Sequence, residues 1–176
     1  MKKMIVVALA VLVSAGLLVA QDRARPTVVA NTFVYYPHSA LMANVATLKA
    51  GGKLAKPFGE YDRVNRGDHD FQGMNFRKAT EDAVGVHMNF ADLYVVQDGE
   101  ATIHYGGTME GGKEITTGEF RGEKIVGGTR QKLVAGDIAS VPAGMPHIWE
   151  IEPGKTVTYT TFKILKQPTA PSSAAR

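Results

Sequence analysis

The side chains able to do chemistry in this 176-residue chain are its histidines and carboxylates, because it contains no cysteine. Neutral imidazole is a metal ligand and a general acid/base near neutral pH, and a carboxylate can serve in either capacity. His87 lies in VGVHMNF. Strand alternation there puts Gly85, His87 and Asn89 on one face and Val84, Val86, Met88 and Phe90 on the other. Either the apolar face is core and His87 and Asn89 look into solvent, or those two line a polar interior and another element covers the apolar face. Asp92 heads a mostly apolar run and shares its face with Tyr94 and Val96. Burying that carboxylate is costly unless it is paired or metal-bound, so it is exposed at a strand end or it serves a site. His147 opens HIWEI, with Trp149 and Ile151 on its face. Trp149 and Tyr94 are read as core aromatics, with a stacking wall for a ring-shaped ligand as the functional alternative. His104 is expected to face solvent, His38 to sit at the surface of a helix start, and His69 to lie unliganded in the loop Asp68-His69-Asp70. Arg130, in a glycine turn, could reach an acidic ligand. No phosphate-binding loop, dinucleotide fingerprint, nucleophile elbow or cysteine-based zinc signature is present.

The elements that must position these residues are mostly short strands. Lys2 and Lys3 precede an uncharged apolar run, Met4 to Val19, and Ala20 stands before Gln21-Asp22-Arg23. This pattern reads as a secretory signal peptide over 1–20, with an uncleaved anchor as the alternative. Its removal leaves 18 basic against 17 acidic residues, since 1–20 hold two lysines and no acid. A near-neutral chain without a Lys/Arg cluster excludes a nucleic-acid surface. Cleavage would leave a secreted or periplasmic protein with no membrane partner. Residues 21–83 are expected to form an N-terminal arm, a short helix over 40–50 capped by Ser39, and a first strand near 71–78. The helix carries Leu41, Met42, Val45 and Leu48 on one face. From 84 to 165 the pattern is β: 84–90, 92–97, a turn at Asp98-Gly99, then 101–105, 131–134, 138–141, 147–151 and 156–165. Between them, 106–128 is a glycine-rich excursion with a strand near 124–126. The tail 166–176, rich in Pro, Ser and Ala, lacks the apolar content to fold. Many short strands without alternating helices make a sandwich or barrel.

Gly136, Pro142, Gly144 and His147 fit G-x5-P-x-G-x2-H-x3-N, with Ile151 in the place of the last Asn. In this the chain resembles the second motif of the cupin superfamily. Its first motif, G-x5-H-x-H-x3or4-E-x6-G, is matched in part: Gly99 takes the final glycine and Asp92 the Glu. His87 takes either the second histidine position, with Gly85 in the first, or the first, with Asn89 in the second. The resemblance implies an all-β double-stranded β-helix, the jelly-roll cupin barrel, over 84–165, with a short N-terminal helix and arm. It also implies a metal site of His87, Asp92 and His147 with Asn89 as a fourth ligand, and Tyr94 and Trp149 lining the ligand space. Two histidines and a carboxylate suit Fe, Mn, Ni or Zn. The function this implies is binding of a small polar or aromatic molecule, with metal-dependent oxygenase, hydrolase or isomerase chemistry. The alternative is a non-catalytic binding or scaffold barrel that has lost its metal. A homodimer is expected by the same resemblance.

Overall fold

The computed structural model describes residues 35–54 and 69–166. The expected signal peptide, most of the expected arm, residues 55–68 and nearly all of the expected tail lie outside the described residues.

Within them, one helix, α1 (His38–Lys49), precedes eleven strands. The strands are β1 (His69–Arg77), β2 (Val84–His87), β3 (Phe90–Tyr105), β4 (Thr108–Glu110), β5 (Lys113–Thr116), β6 (Glu119–Gly122), β7 (Lys124–Val126), β8 (Thr129–Val134), β9 (Ile138–Val141), β10 (His147–Glu150) and β11 (Val157–Leu165). Nine belong to one continuous sheet, and β4 and β7 form a separate ribbon. All pairings are antiparallel.

The long strand β3 folds the sheet over on itself. Its first half pairs with β11 and β9, so that β1-β11-β3-β9 makes one layer. Its second half pairs with β8 and β10, and β10-β2-β6-β5 continues the other. The apolar core lies between the layers. Tyr94, Val96 and Tyr159 come from the first, Ala101, Ile103, Leu133 and Trp149 from the second, and all are buried in one cluster. Two antiparallel layers closed over a shared interior are the double-stranded β-helix expected from the motifs.

Several boundaries differ from the sequence reading for local reasons. Asp98-Gly99 is not a hairpin turn; β3 runs through it. Gly99 has φ +78°, and a Cβ there would lie 2.0 Å from the Thr156 carbonyl oxygen. The register against β11 shifts two residues away, where Gln97 is left between the pairs Asp98–Thr158 and Val96–Tyr159. The positive φ that suits a turn here serves a continuous strand, which passes from one layer into the other beside this bulge. The strand expected over 84–90 stops at His87, where the Met88 amide bonds the Gly118 carbonyl instead of continuing a ladder. The excursion 106–128 holds four strands, not one. Pro37, not Ser39, takes the N-cap position of α1, without a side-chain cap. The helix buries Val45 as its stripe predicts and packs on β1 and β3, so it covers the first layer and not β2.

Candidate metal and ligand site

The barrel interior changes character along the strands, from aromatic to charged. Adjacent inward positions of β3 are Val96, Tyr94 and Asp92, and β11 places Tyr159, Thr161 and Lys163 beside them in register. From the other layer β10 supplies His147 and Trp149. Strand β2 brings Gly85 opposite His147, and β6 brings Glu119 opposite His87 and Arg121 opposite Gly85. Gly144, at φ +83°, makes the corner that turns the chain from β9 into β10, and its amide bonds the His87 carbonyl, tying the two histidine segments together.

His87, Asp92 and His147 meet, each offering one ligand atom, with all three atoms within 4.8 Å of one another. Both Nε2 atoms lie 3.4 Å from Asp92 Oδ2. The opposite ring nitrogens are committed. His147 Nδ1 lies 3.1 Å from the Met145 carbonyl oxygen, which can only accept, so Nδ1 carries the proton. His87 Nδ1 donates to the Glu119 carboxylate. In these tautomers both Nε2 lone pairs face a carboxylate oxygen, three electron-rich atoms around one point. That is the donor chemistry of a cation site, and acceptors holding the far ring nitrogens are the usual orienting shell of metal-binding histidines. The residues present therefore fit a divalent transition metal.

The surroundings hold Asp92 as an anion although it is only 2% exposed. Burial alone would raise its pKa. With the imidazoles carrying a proton on Nε2, where a metal would otherwise sit, His147, the Lys163 ammonium and His87 outweigh that and hold it well below the ordinary carboxylate value. Lys163 Nζ stands 2.6 Å from Oδ1. The Tyr94 hydroxyl donates to Oδ2 at 2.7 Å and lies 3.1 Å from His147 Nε2. Burial and the neighbouring Asp92 push the Tyr94 phenol far up, so it is a neutral donor and not a base. Glu119 would be raised by its burial, but His87 lowers it. Trp149 stacks on Tyr159, centroids 4.5 Å apart at 14°, and Tyr94 meets both edge-on. These groups line a cavity of about 230 Å³ that opens beside the histidines.

The structure brings together His87, Asp92, His147, Tyr94 and Trp149. Asn89 does not join them. It follows the end of β2 and is exposed, its amide beside the Gly118 turn, because the strand that would have turned it inward stops two residues earlier. His104 is corrected as well: it is 3% exposed, with Nε2 2.8 Å from the Gly127 carbonyl oxygen and Nδ1 3.3 Å from Glu150. Arg130 is paired with Glu150 through two nitrogens and does not face the cavity. His38 is exposed, as expected. Sequence reasoning missed Glu119, Arg121 and Lys163. The alternation of EFRG between Gly118 and Gly122 was the available signal for the first two. Lys163, on the last strand, could have been found only by pairing that strand with the Asp92 run.

No protein-family model and no curated protein matches the sequence. Among solved structures, the chain is similar to a cupin protein from Bacteroides fragilis, at 11% identity over 70% of this chain and 92% of that one, with a TM-score of 0.43. It is also similar to an uncharacterized conserved protein with a double-stranded beta-helix domain from Klebsiella pneumoniae, at 18% identity over 64% and 82%, TM-score 0.43. A third is the DMSP lyase DddQ from Ruegeria pomeroyi, at 17% identity over 58% of this chain and 41% of that one, TM-score 0.39. The strand pairing of the chain itself, with Gly136, Pro142, Gly144 and His147 at the β9–β10 corner, defines a cupin-type barrel.

Proposed function

We propose that this barrel holds one divalent transition metal (Fe, Mn, Ni or Zn) on His87, Asp92 and His147 and binds a small polar or aromatic molecule beside it. The proposal extends to metal-dependent oxygenase, hydrolase or isomerase chemistry in an exported protein. The observation that carries the metal reading is the convergence of two oriented Nε2 lone pairs on Asp92 Oδ2. A metal at such a site supplies Lewis acidity toward a bound oxygen. The chain supplies the rest. Glu119 and the Met145 carbonyl fix the two imidazoles, and Lys163 keeps Asp92 ionised. Tyr94 holds Asp92 Oδ2 with its one O–H, and the Trp149–Tyr159 stack gives the cavity an apolar wall.

A second reading, a metal-free binding barrel, is favoured by one fact. Lys163 ion-pairs with Asp92 Oδ1 and Tyr94 donates to Oδ2, so the charge of the carboxylate is balanced without a metal. Elemental mass spectrometry on protein purified without a metal-binding tag separates the two. One equivalent of a transition metal, lost in His87→Ala and His147→Ala, is the expected result. Protein that stays metal-free after incubation with Fe(II), Mn(II), Ni(II) and Zn(II) would establish the second reading instead.

A further inference from the structure

Three cations line the cavity besides the histidines, and two of them are engaged. Arg77 donates from Nε to the Tyr159 hydroxyl at 2.6 Å and is ion-paired with Glu81. Lys163 is held on Asp92. Arg121 differs. Its Nη1 donates to its neighbour's carbonyl, that of Phe120, at 2.8 Å. The nearest carboxylate to it among the described residues is Glu119, at 3.8 Å, which already takes the His87 proton. A guanidinium has five N–H donors in a planar fork matched to a carboxylate, and here most of that capacity is unspent.

The space in front of this fork is made by a missing side chain. Gly85 faces the cavity between the two histidine strands, and its φ is not in the left-handed region. A Cβ on it would have as nearest neighbours Arg121 Nη1 at 3.6 Å, His87 Nε2 at 3.8 Å and His147 Cε1 at 3.9 Å. Neither steric crowding nor backbone conformation demands glycine there. In one alignment of the first cupin motif, Gly85 stands in a histidine position. Its hydrogen leaves open a place that touches the metal-facing nitrogen and an underused cation together.

We infer that the ligand of this cavity is a small carboxylate, its carboxyl group lying over Gly85 between the Arg121 guanidinium and the His87/His147 nitrogens. The inference rests on the proposed metal site and names the substrate class for it. Size agrees: a cavity of about 230 Å³ has room for several waters, and so for an acid of a few carbons. Charge agrees as well: Arg77–Glu81 and Lys163–Asp92 pair, Arg121 is balanced only at 3.8 Å by a Glu119 it shares with His87, and the charge of the metal is left in excess. The opposite wall, Trp149 on Tyr159, suits the apolar end of such an acid.

Trp149 is the only tryptophan of the chain and lines the cavity, so its fluorescence reports occupancy directly. The experiment titrates metal-loaded full-length protein with acetate, malonate, succinate and benzoate, and in parallel with acetamide, malonamide, succinamide and benzamide. Calorimetry on the same samples gives metal affinity separately. At least one acid should bind saturably and at least about tenfold more tightly than its amide. Arg121→Gln should lose about tenfold or more of that acid's affinity, with Arg121→Lys recovering part, while metal affinity stays within about twofold. Gly85→Ala, which the 3.6–3.9 Å clearances accept, should weaken the acid and retain the metal. Equal binding of acid and amide, no saturable binding of any acid, or unchanged acid affinity in Arg121→Gln would each overturn the inference. Tighter binding of inorganic phosphate than of any carboxylate would overturn it too. Failure to take up metal defeats the proposed function alone. The carboxylate reading is then decided by the same titration of the metal-free protein, where loss of Arg121 must still abolish binding.

Discussion

Lys163 and Glu119 show how much of a site can rest on residues that would touch no ligand. Asp92 is ionised inside a barrel because His147, the Lys163 ammonium and His87 outweigh its burial. Replacing Lys163 by Met leaves that carboxylate buried without its counter-charge, a loss of about 3–5 kcal/mol in chemical denaturation. Because the folded-state pKa of Asp92 lies below its ordinary 3.8, its stabilising contribution is complete above that value. The contribution is lost as pH falls below 3.8 through the folded value. Acid unfolding should therefore steepen below about pH 4 in the native protein, and Asp92→Asn should flatten that limb. Glu119→Gln removes the anionic acceptor from His87 Nδ1, and metal affinity measured by competition with a chelator should fall about 10–100-fold. At this scale His147 was legible from motif spacing, while alternation left His87 and Asp92 open between solvent and the interior, and the motif resemblance alone joined the three. Asn89 was misread because alternation was carried past the true end of its strand. Lys163 was illegible because a partner on a distant strand leaves no local pattern, and Glu119 had only the brief alternation after Gly118 to show it.

At the scale of elements, the bend in β3 decides whether the site exists. Gly99 lets one strand serve both layers, so that Asp92 and Tyr94 at one end and Ile103 and Tyr105 at the other can address β10 and its histidine. Gly99→Ala would place a methyl within 2.0 Å of the Thr156 carbonyl at a left-handed φ. The expected cost is about 2 kcal/mol or more, read as a lowered thermal midpoint with reduced metal stoichiometry. The dipeptide Asp98-Gly99 carried the correct backbone message, a positive φ, and local sequence does not say whether such a residue ends a strand or bends it. The β9–β10 corner was read correctly because Pro142 and Gly144 constrain the backbone on their own, whatever packs around them. Strands β4, β5 and β6 were hidden among glycines and charges because they are short and lack an alternating apolar face, and β4 and β5 are mostly exposed.

The molecule as a whole joins its two layers at the core and again at the site, since His87 and His147 come from one and Asp92 from the other. A ligand bridging them favours the folded state alone, and metal at about 100 times its dissociation constant would add about 2.7 kcal/mol. Chelation should accordingly lower the thermal midpoint of the native protein, and should leave that of His147→Ala where it is. Fold class was legible at this scale from strand count, the absence of alternating helices and the four motif residues. Layer membership was not, since it depends on which strands pair across 60 or more residues of chain, as Tyr94 does with Thr161.

The pairing of β11 with both β1 and β3 also sets an order in time. The strand that completes the first layer is the last of the described strands, ending at Leu165. A chain emerging residue by residue cannot close its barrel, or assemble Lys163 with Asp92, until β11 has followed all the other strands out. Few of its contacts are local, so folding belongs to the slow regime of milliseconds to seconds. Until then the interior strands stand open to other chains, and the acidic and basic halves of the site wait for one another.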